Sequence, residues 1–166
     1  MVIIGIDPGS RITGYGIIDA NQSTLRCIHY GQIQCANKIV AERLAFIYNE
    51  LQKVLHEFRP NEAAIEQVFF HVNVKAALTL GQARGAALVA LANTAIPIHE
   101  YTARKVKQTI VGYGNAQKNQ IQIMVRALLK LDELPPIDAA DALAIAICHR
   151  HASQLKNLLE SSHPAV

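Results

Sequence analysis

The stretch "VIIGIDPGSRITGYGII" at residues 2–18 constrains this chain more than any other. Four apolar residues and a glycine lead straight into a carboxylate, Asp7, and Pro8 follows at once. Asp-Pro-Gly makes a good turn, because proline presets φ and glycine accepts a positive value. The residue before a proline is also biased toward extended geometry, so the same three residues fit a strand that carries an acid rigidly to its end. Both readings stand on these residues alone, and the rest of the chain must decide between them.

Residues 2–7 read as a buried strand and 12–18 as a second, with a tight Gly/Ser turn between them. The β-branched and aromatic content of 24–34 makes a third, completing an antiparallel meander. Leu44, Ile47, Leu51, Val54, Leu55 and Phe58 then recur at helical spacing until Arg59 and Pro60 stop the pattern. "EAAIEQV" at 62–68 is a short fourth strand whose few apolar residues leave its two faces undistinguished. A helix from about 74 to 93 is dominated by small residues, with Gly81 and Gly85 on one face, so another helix can approach there. "IPIHEY" is a fifth strand, and "TARKVKQTIV" a helix capped by Thr102. "QKNQIQIMVRALLKL" is a helix capped near Asn115, and a last helix runs from about 137 to 155. This order predicts an α/β fold with a mixed five-stranded sheet, an antiparallel meander followed by parallel strands, flanked by helices. Residues 1–155 are expected to form one domain, since 166 residues suffice for a single core. Residues 156–166 are expected to be a flexible tail.

No window approaches the roughly 18 apolar residues of a membrane span, and no signal segment opens the chain, so a cytoplasmic location is expected. Three cysteines, without a CxxC pair, encode neither a disulfide framework nor a cysteine zinc site. Net charge is only +3, but the interval from Arg104 to Lys130 holds Arg104, Lys105, Lys107, Lys118, Arg126 and Lys130 with no acid between them. Such a run suits contact with phosphates. Lys107 and Lys118 flank the glycine loop "GYGNA", where backbone can come close to a phosphate. Among the histidines, His149 and His151 are two apart on a helix and face different ways, which makes them poor co-ligands. His29, His56, His71 and His99 are scattered, and none receives a role.

Three further acids sit, like Asp7, in apolar surroundings. Glu66 follows "AAI" at the end of the fourth strand; Asp138 and Asp141 lie three apart in "PPIDAADALAIAI", on one side of the last helix. Asp138 is a natural helix-start acid. Asp141 is harder to explain that way, because the helix around it has almost no polar face. If the first and fourth strands are neighbours and the last helix crosses them, all four acids meet. At separations of about 6 Å and an effective dielectric of ~20, each pair repels by roughly 3 kcal/mol, and all pairs together by somewhat under about 20. Divalent cations among them, or bound protons, would relieve this. Oxygen-only ligands without His or Cys point to Mg²⁺ or Mn²⁺. Two such ions about 3.5–4 Å apart are a standard device for hydrolysing phosphodiesters.

The blocks "GIDPGSRITGYG", "AIEQVF", "LGQARGAA", "EYTARKVKQTIVGYGNAQKNQIQIMV" and "DAADALAIAICH" resemble those of the RuvC crossover-junction endodeoxyribonucleases, the Holliday junction resolvases of bacteria. The resemblance covers residues 2 to about 152. It implies a ribonuclease H-like fold, a homodimer, and Mg²⁺-dependent paired nicking of four-way junction DNA in recombination and repair, with two ions per site and Mn²⁺ as a substitute. It implies work alongside the RuvA and RuvB branch-migration proteins. The family's catalytic quartet falls on Asp7, Glu66, Asp138 and Asp141, its important lysines on Lys107 and Lys118, and its junction-contacting aromatic on Phe69. Three rivals remain in view. A sugar kinase or actin-type enzyme shares the opening strand, acid and glycine turn, but needs two such domains. Another ribonuclease H-like nuclease shares the order of acids but not the "LGQARG" and "VKQT" blocks. A junction-binding protein without catalysis would not need the four acids.

Overall fold

The computed structural model describes residues 1–21, 24–35, 38–68 and 73–161. Strands β1 (Val2–Asp7), β2 (Ile12–Asp19) and β3 (Arg26–Gln34) are followed by helix α1 (Val40–Phe58) and strand β4 (Glu62–Gln67). Helix α2 (Val74–Ala92), strand β5 (Ile98–Thr102) and helices α3 (Ala103–Val111), α4 (Lys118–Leu129) and α5 (Ile137–Ser161) complete the order. The sheet runs β3-β2-β1-β4-β5, antiparallel across β3, β2 and β1 and parallel across β1, β4 and β5. This is the mixed sheet that the alternation of strand and helix patterns predicts.

Period-two alternation sorts the sheet into two faces. Ile4 and Ile6 of β1, with Ala63 and Ile65 of β4, join the cluster formed with Ile47, Leu51 and Leu55 of α1 and Ala83, Ala87 and Leu91 of α2. Ile3 and Ala64 join the opposite cluster, with Val106 and Ile110 of α3, Ile121 and Val125 of α4, and Leu143 to Cys148 of α5. Helix α5 lies between the sheet and the α3–α4 layer, and every residue from Ala142 to His149 is buried. A helix apolar on all sides belongs in such a middle position.

Helix α1 ends where Arg59 takes a left-handed φ of 44° and its N–H bonds to the Leu55 carbonyl, with Pro60 following. Thr102 caps α3 by accepting from the Lys105 N–H at 3.1 Å. Helix α4 starts two residues later than the Asn115 cap suggests, with Gln117 as N-cap and its N–H donating to Gln120 Oε1 at 2.8 Å. Helix α5 continues to Ser161, six residues past the end that its apolar spacing suggests, with Leu158 and Leu159 exposed along that extension. Among the described residues, no helix is long and apolar enough to cross a membrane.

Candidate active site

Alternation also decides where Asp7 points. It shares a face of β1 with Ile3 and Gly5, the face beneath α5, and Glu66 shares the same face of β4 with Ala64. Because Ile6 stands opposite Ile65 in the parallel register, the next residues, Asp7 and Glu66, leave the two strands side by side. They do so at the carboxyl ends of adjacent parallel strands, where α/β sheets place their ligands. Gly14, paired with Asp7 across β2, underlies the start of α5 so closely that a Cβ there would sit 2.0 Å from the Asp138 carbonyl oxygen. A Cβ on Gly5 would stand 2.1 Å from the Ala142 carbonyl oxygen. Backbone thus rests on backbone, and the first turns of α5 hang directly over Asp7.

Asp7, Glu66 and Asp141 line one cavity of about 190 Å³ together with Lys107, Lys118 and the apolar Ala103, Val106 and Ile121. Asp138 stands one turn before Asp141, with its Oδ2 accepting from Gln32 Nε2 at 2.8 Å. Lys118, at the first turn of α4, places Nζ 3.3 Å from Asp141 Oδ2. The electrostatics are those of anions crowded together. Burial, followed by the charges of Glu66 and Asp141, pushes the Asp7 carboxyl well above the usual carboxylate range. Burial and Asp141 raise Glu66, against the pull of Lys118 and Lys107. Burial raises Asp141 despite Lys118 beside it. Lys118 is opposed by its own partial burial, but Asp141, Asp7 and Asp138 outweigh that and keep it charged. One lysine therefore does not neutralise the basin, and the carboxylates remain short of positive charge.

That deficit has a measurable pH signature. A carboxyl whose pKa is raised by folding binds more protons in the folded state than in the unfolded one, so its contribution to stability is fully present below the unfolded pKa and is lost as pH rises through the folded value. For Asp7, Glu66 and Asp141 the window opens near 3.8–4.5 and extends upward. In EDTA, the Tm of the native chain is expected to rise relative to that of Asp7→Asn as pH falls from 7.5 to 5. Referring each value to the variant cancels the opposite trend of His149, whose pKa burial lowers. A constant difference between the two melting curves would show that Asp7 is not held at electrostatic cost.

The donor set is also the fit test for a divalent ion. Three lining carboxylates, with Asp138 one turn before Asp141 and, among the described residues, no imidazole or thiolate in the lining, suit a hard cation such as Mg²⁺ or Mn²⁺ rather than zinc. Of the remaining sequence-predicted residues, Lys107 reaches the cavity from α3. Arg104 instead packs beside Gly114 in the glycine loop. Lys105 faces a different surface, a groove with Ala152, Leu155 and Lys156 at the far end of α5. Phe69 lies outside the described residues. Sequence reasoning did not single out Gln32, which is 106 residues from the aspartate it holds, nor the direct pairing of Lys118 with Asp141. Arg84 was also missed; its Nε donates to the Glu66 carbonyl oxygen at 3.1 Å while its guanidinium pairs with Glu100, steadying the end of β4.

A family model described as crossover junction endodeoxyribonuclease RuvC matches residues 3–149. The chain belongs to the RuvC family. A relative from Coxiella burnetii (strain Dugway 5J108-111), named crossover junction endodeoxyribonuclease RuvC, is 57% identical over 158 residues, covering 95% of this chain and 92% of the relative. The Thermus thermophilus RuvC structure superposes with a TM-score of 0.84 at 35% identity, covering 94% of this chain and 97% of that one. RuvC from the same organism in complex with a Holliday junction substrate gives a TM-score of 0.84 at 34% identity, with 93% and 96% covered. The family match spans all five strands, and the fold is ribonuclease H-like.

Proposed function

We propose that this chain is a Holliday junction resolvase, an endonuclease that nicks four-way junction DNA using Asp7, Glu66, Asp138 and Asp141 as ligands for Mg²⁺. The observation that carries this is the convergence of those acids, underneutralised by Lys118, at the carboxyl ends of β1 and β4 in a RuvC-family chain. Asp7, on the central strand and lining one cavity with Glu66 and Asp141, would hold the metal together with them. When bound, the ions would supply an activated water and charge neutralisation at the leaving oxygen. The chain's own part is positional. Gln32 holds Asp138, the first turn of α4 presents Lys118, and Lys107 lines the cavity, where it would meet a phosphate of the bound DNA. Backbone packing of α5 on β1 and β2 keeps the helix acids in place over the strand acids.

The test is a purified protein, a synthetic four-way junction, and Mg²⁺ against EDTA. Paired, symmetric nicks that need the metal are expected, with Mn²⁺ able to substitute. Equal cutting of linear duplex or of an RNA hybrid would favour another ribonuclease H-like nuclease, and tight junction binding without cutting would favour a non-catalytic role.

Two symmetric cuts require two acid basins, and a two-fold homodimer supplies them. Helix α2 provides a surface for this. Val74, Leu78 and Val89 are exposed along it, and among the described residues no atom lies within 4 Å of a Cβ built on Gly81 or Gly85. These five positions follow one helical stripe. Gly85→Leu is expected to leave the monomer folded, because its site opens to solvent, and to halve the sedimentation mass. An unchanged mass would move the dimer contact elsewhere. Work alongside RuvA and RuvB in the cytoplasm follows from the family reading and belongs to the same proposal.

A further inference from the structure

At the opposite end of β4 from the acid basin, three residues remote in sequence converge. Glu62 begins β4, His99 lies in β5, and His149 lies on α5, and one ligand atom from each falls within 4.8 Å of the other two. Glu62 lies four residues before Glu66 on β4, roughly 13 Å away at strand rise. His149 lies eight residues beyond Asp141, roughly 12 Å away at helical rise. The cluster is therefore a separate centre, and its donors differ in kind: two imidazoles and one carboxylate instead of carboxylates alone.

We propose that Glu62, His99 and His149 bind a zinc-class divalent transition ion, with the fourth position open to water, and so tie the edge strand β5 to β4 and α5. His149 is 1% exposed, and its ring is already oriented by two partners. Nε2 faces Glu62 Oε2 at 2.5 Å, and Nδ1 lies 2.8 Å from the Tyr101 hydroxyl. With an ion on Nε2, Nδ1 becomes the protonated nitrogen and donates to Tyr101 Oη, the outer-shell arrangement common to metal-bound histidines. His99 is exposed and stacks on His149 with ring centroids 4.3 Å apart. Its side chain provides the path from solvent; an ion entering there would take the place of the Nε2–Oε2 hydrogen bond, which opens from 2.5 Å as a rotation of His99 closes the set, toward the about 3.3 Å ligand spacing of a tetrahedral zinc site. Two histidines and a glutamate, with one open position, form a recognised zinc donor set.

The experiment uses the full chain carrying Asp7→Asn, which weakens ion binding in the acid basin, titrated with ZnCl₂ in excess Mg²⁺ without DNA. One equivalent of Zn²⁺ is expected to bind, raising Tm by about 5–10 °C at a hundredfold excess over Kd. Adding Tyr101→Phe should weaken binding roughly 10–100-fold, as loss of an outer-shell partner does, and adding His99→Ala should weaken it further. Co²⁺ in place of Zn²⁺ should give visible absorption of tetrahedral character that His99→Ala abolishes. His99 is exposed, so its variant is expected to fold with an unchanged metal-free Tm. Zinc affinity indifferent to His99→Ala, or no zinc uptake in the Asp7→Asn chain, would overturn the assignment. Because no DNA enters the measurement, either result leaves the resolvase reading to its own test.

Discussion

Asp7→Asn is expected to lower the rate of junction cutting by roughly 10³-fold or more, while junction affinity stays level or rises slightly. Asp7 lines one cavity with Glu66 and Asp141, so under the proposed function its carboxylate would hold the metal together with theirs. An amide in its place offers one neutral oxygen and an N–H₂ group that repels a cation. Attachment to DNA follows a different logic, because removing a negative charge from a surface that binds a polyanion cannot weaken its electrostatic attraction. Single-turnover cleavage and equilibrium binding, measured on one junction at one salt concentration, separate the two effects. A parallel loss of affinity would mean that Asp7 holds the fold instead of the ions. Stability offers a further check, since the substitution removes a carboxyl that burial, and then the charges of Glu66 and Asp141, hold well above the usual carboxylate range. In EDTA at neutral pH the variant should melt higher by a few degrees, each kcal/mol being worth about 2–4 °C in a chain of this size.

Gly14→Ala should be nearly as damaging from a position that carries no functional group. A methyl there meets the Asp138 carbonyl oxygen at 2.0 Å, and that atom is backbone, with no flexible side-chain end to swing aside. Either β2 bends or the first turn of α5 lifts from the sheet, and overpacking of this kind costs about 1–3 kcal/mol. The functional loss is expected to exceed what the stability loss alone would cause. A lift of about 1 Å at Asp138 and Asp141 misplaces two acids relative to Asp7 and Glu66, and such an error costs on the order of 10²-fold in rate. The measurement is cutting at a temperature well below the variant's Tm, with the Mg²⁺ concentration for half-maximal rate as a second readout. Full activity in a folded Gly14→Ala chain would show that α5 need not sit on the backbone of β2.

The two glycines also mark how much of this fold could be read in advance. Strand positions, their meander and the helix that ends at Arg59-Pro60 came from short-range patterns, because alternation and 3.6-residue spacing are local consequences of backbone geometry. The faces of β4 did not, since Ala63 and Ile65 are too few to distinguish sides, and only their packing against α1 and α2 assigns them. The cap of α4 lies at Gln117, not Asn115, with the Gln117 N–H donating to Gln120 Oε1, a pairing that glutamines do not advertise in sequence. The end of α5 was underestimated because Leu155, Leu158 and Leu159, though at helical spacing, stay exposed, and the polar residues around them read as a tail.

The acids show the same division. That Asp7, Glu66 and Asp141 are unusual was legible from each one's apolar neighbours, and the ordered RuvC-like blocks supplied their grouping. Their meeting depends on the parallel register of Ile6 with Ile65 and on α5 lying against Gly5 and Gly14. Gln32 holding Asp138 across 106 residues, and Glu62 meeting His149 across 87, had no local signature at all. Chemical type and periodicity belong to the chain at short range, where each residue sees only its neighbours. Distances between remote side chains arise only once burial of both sheet faces selects one packing, and proton and metal affinities depend on those distances.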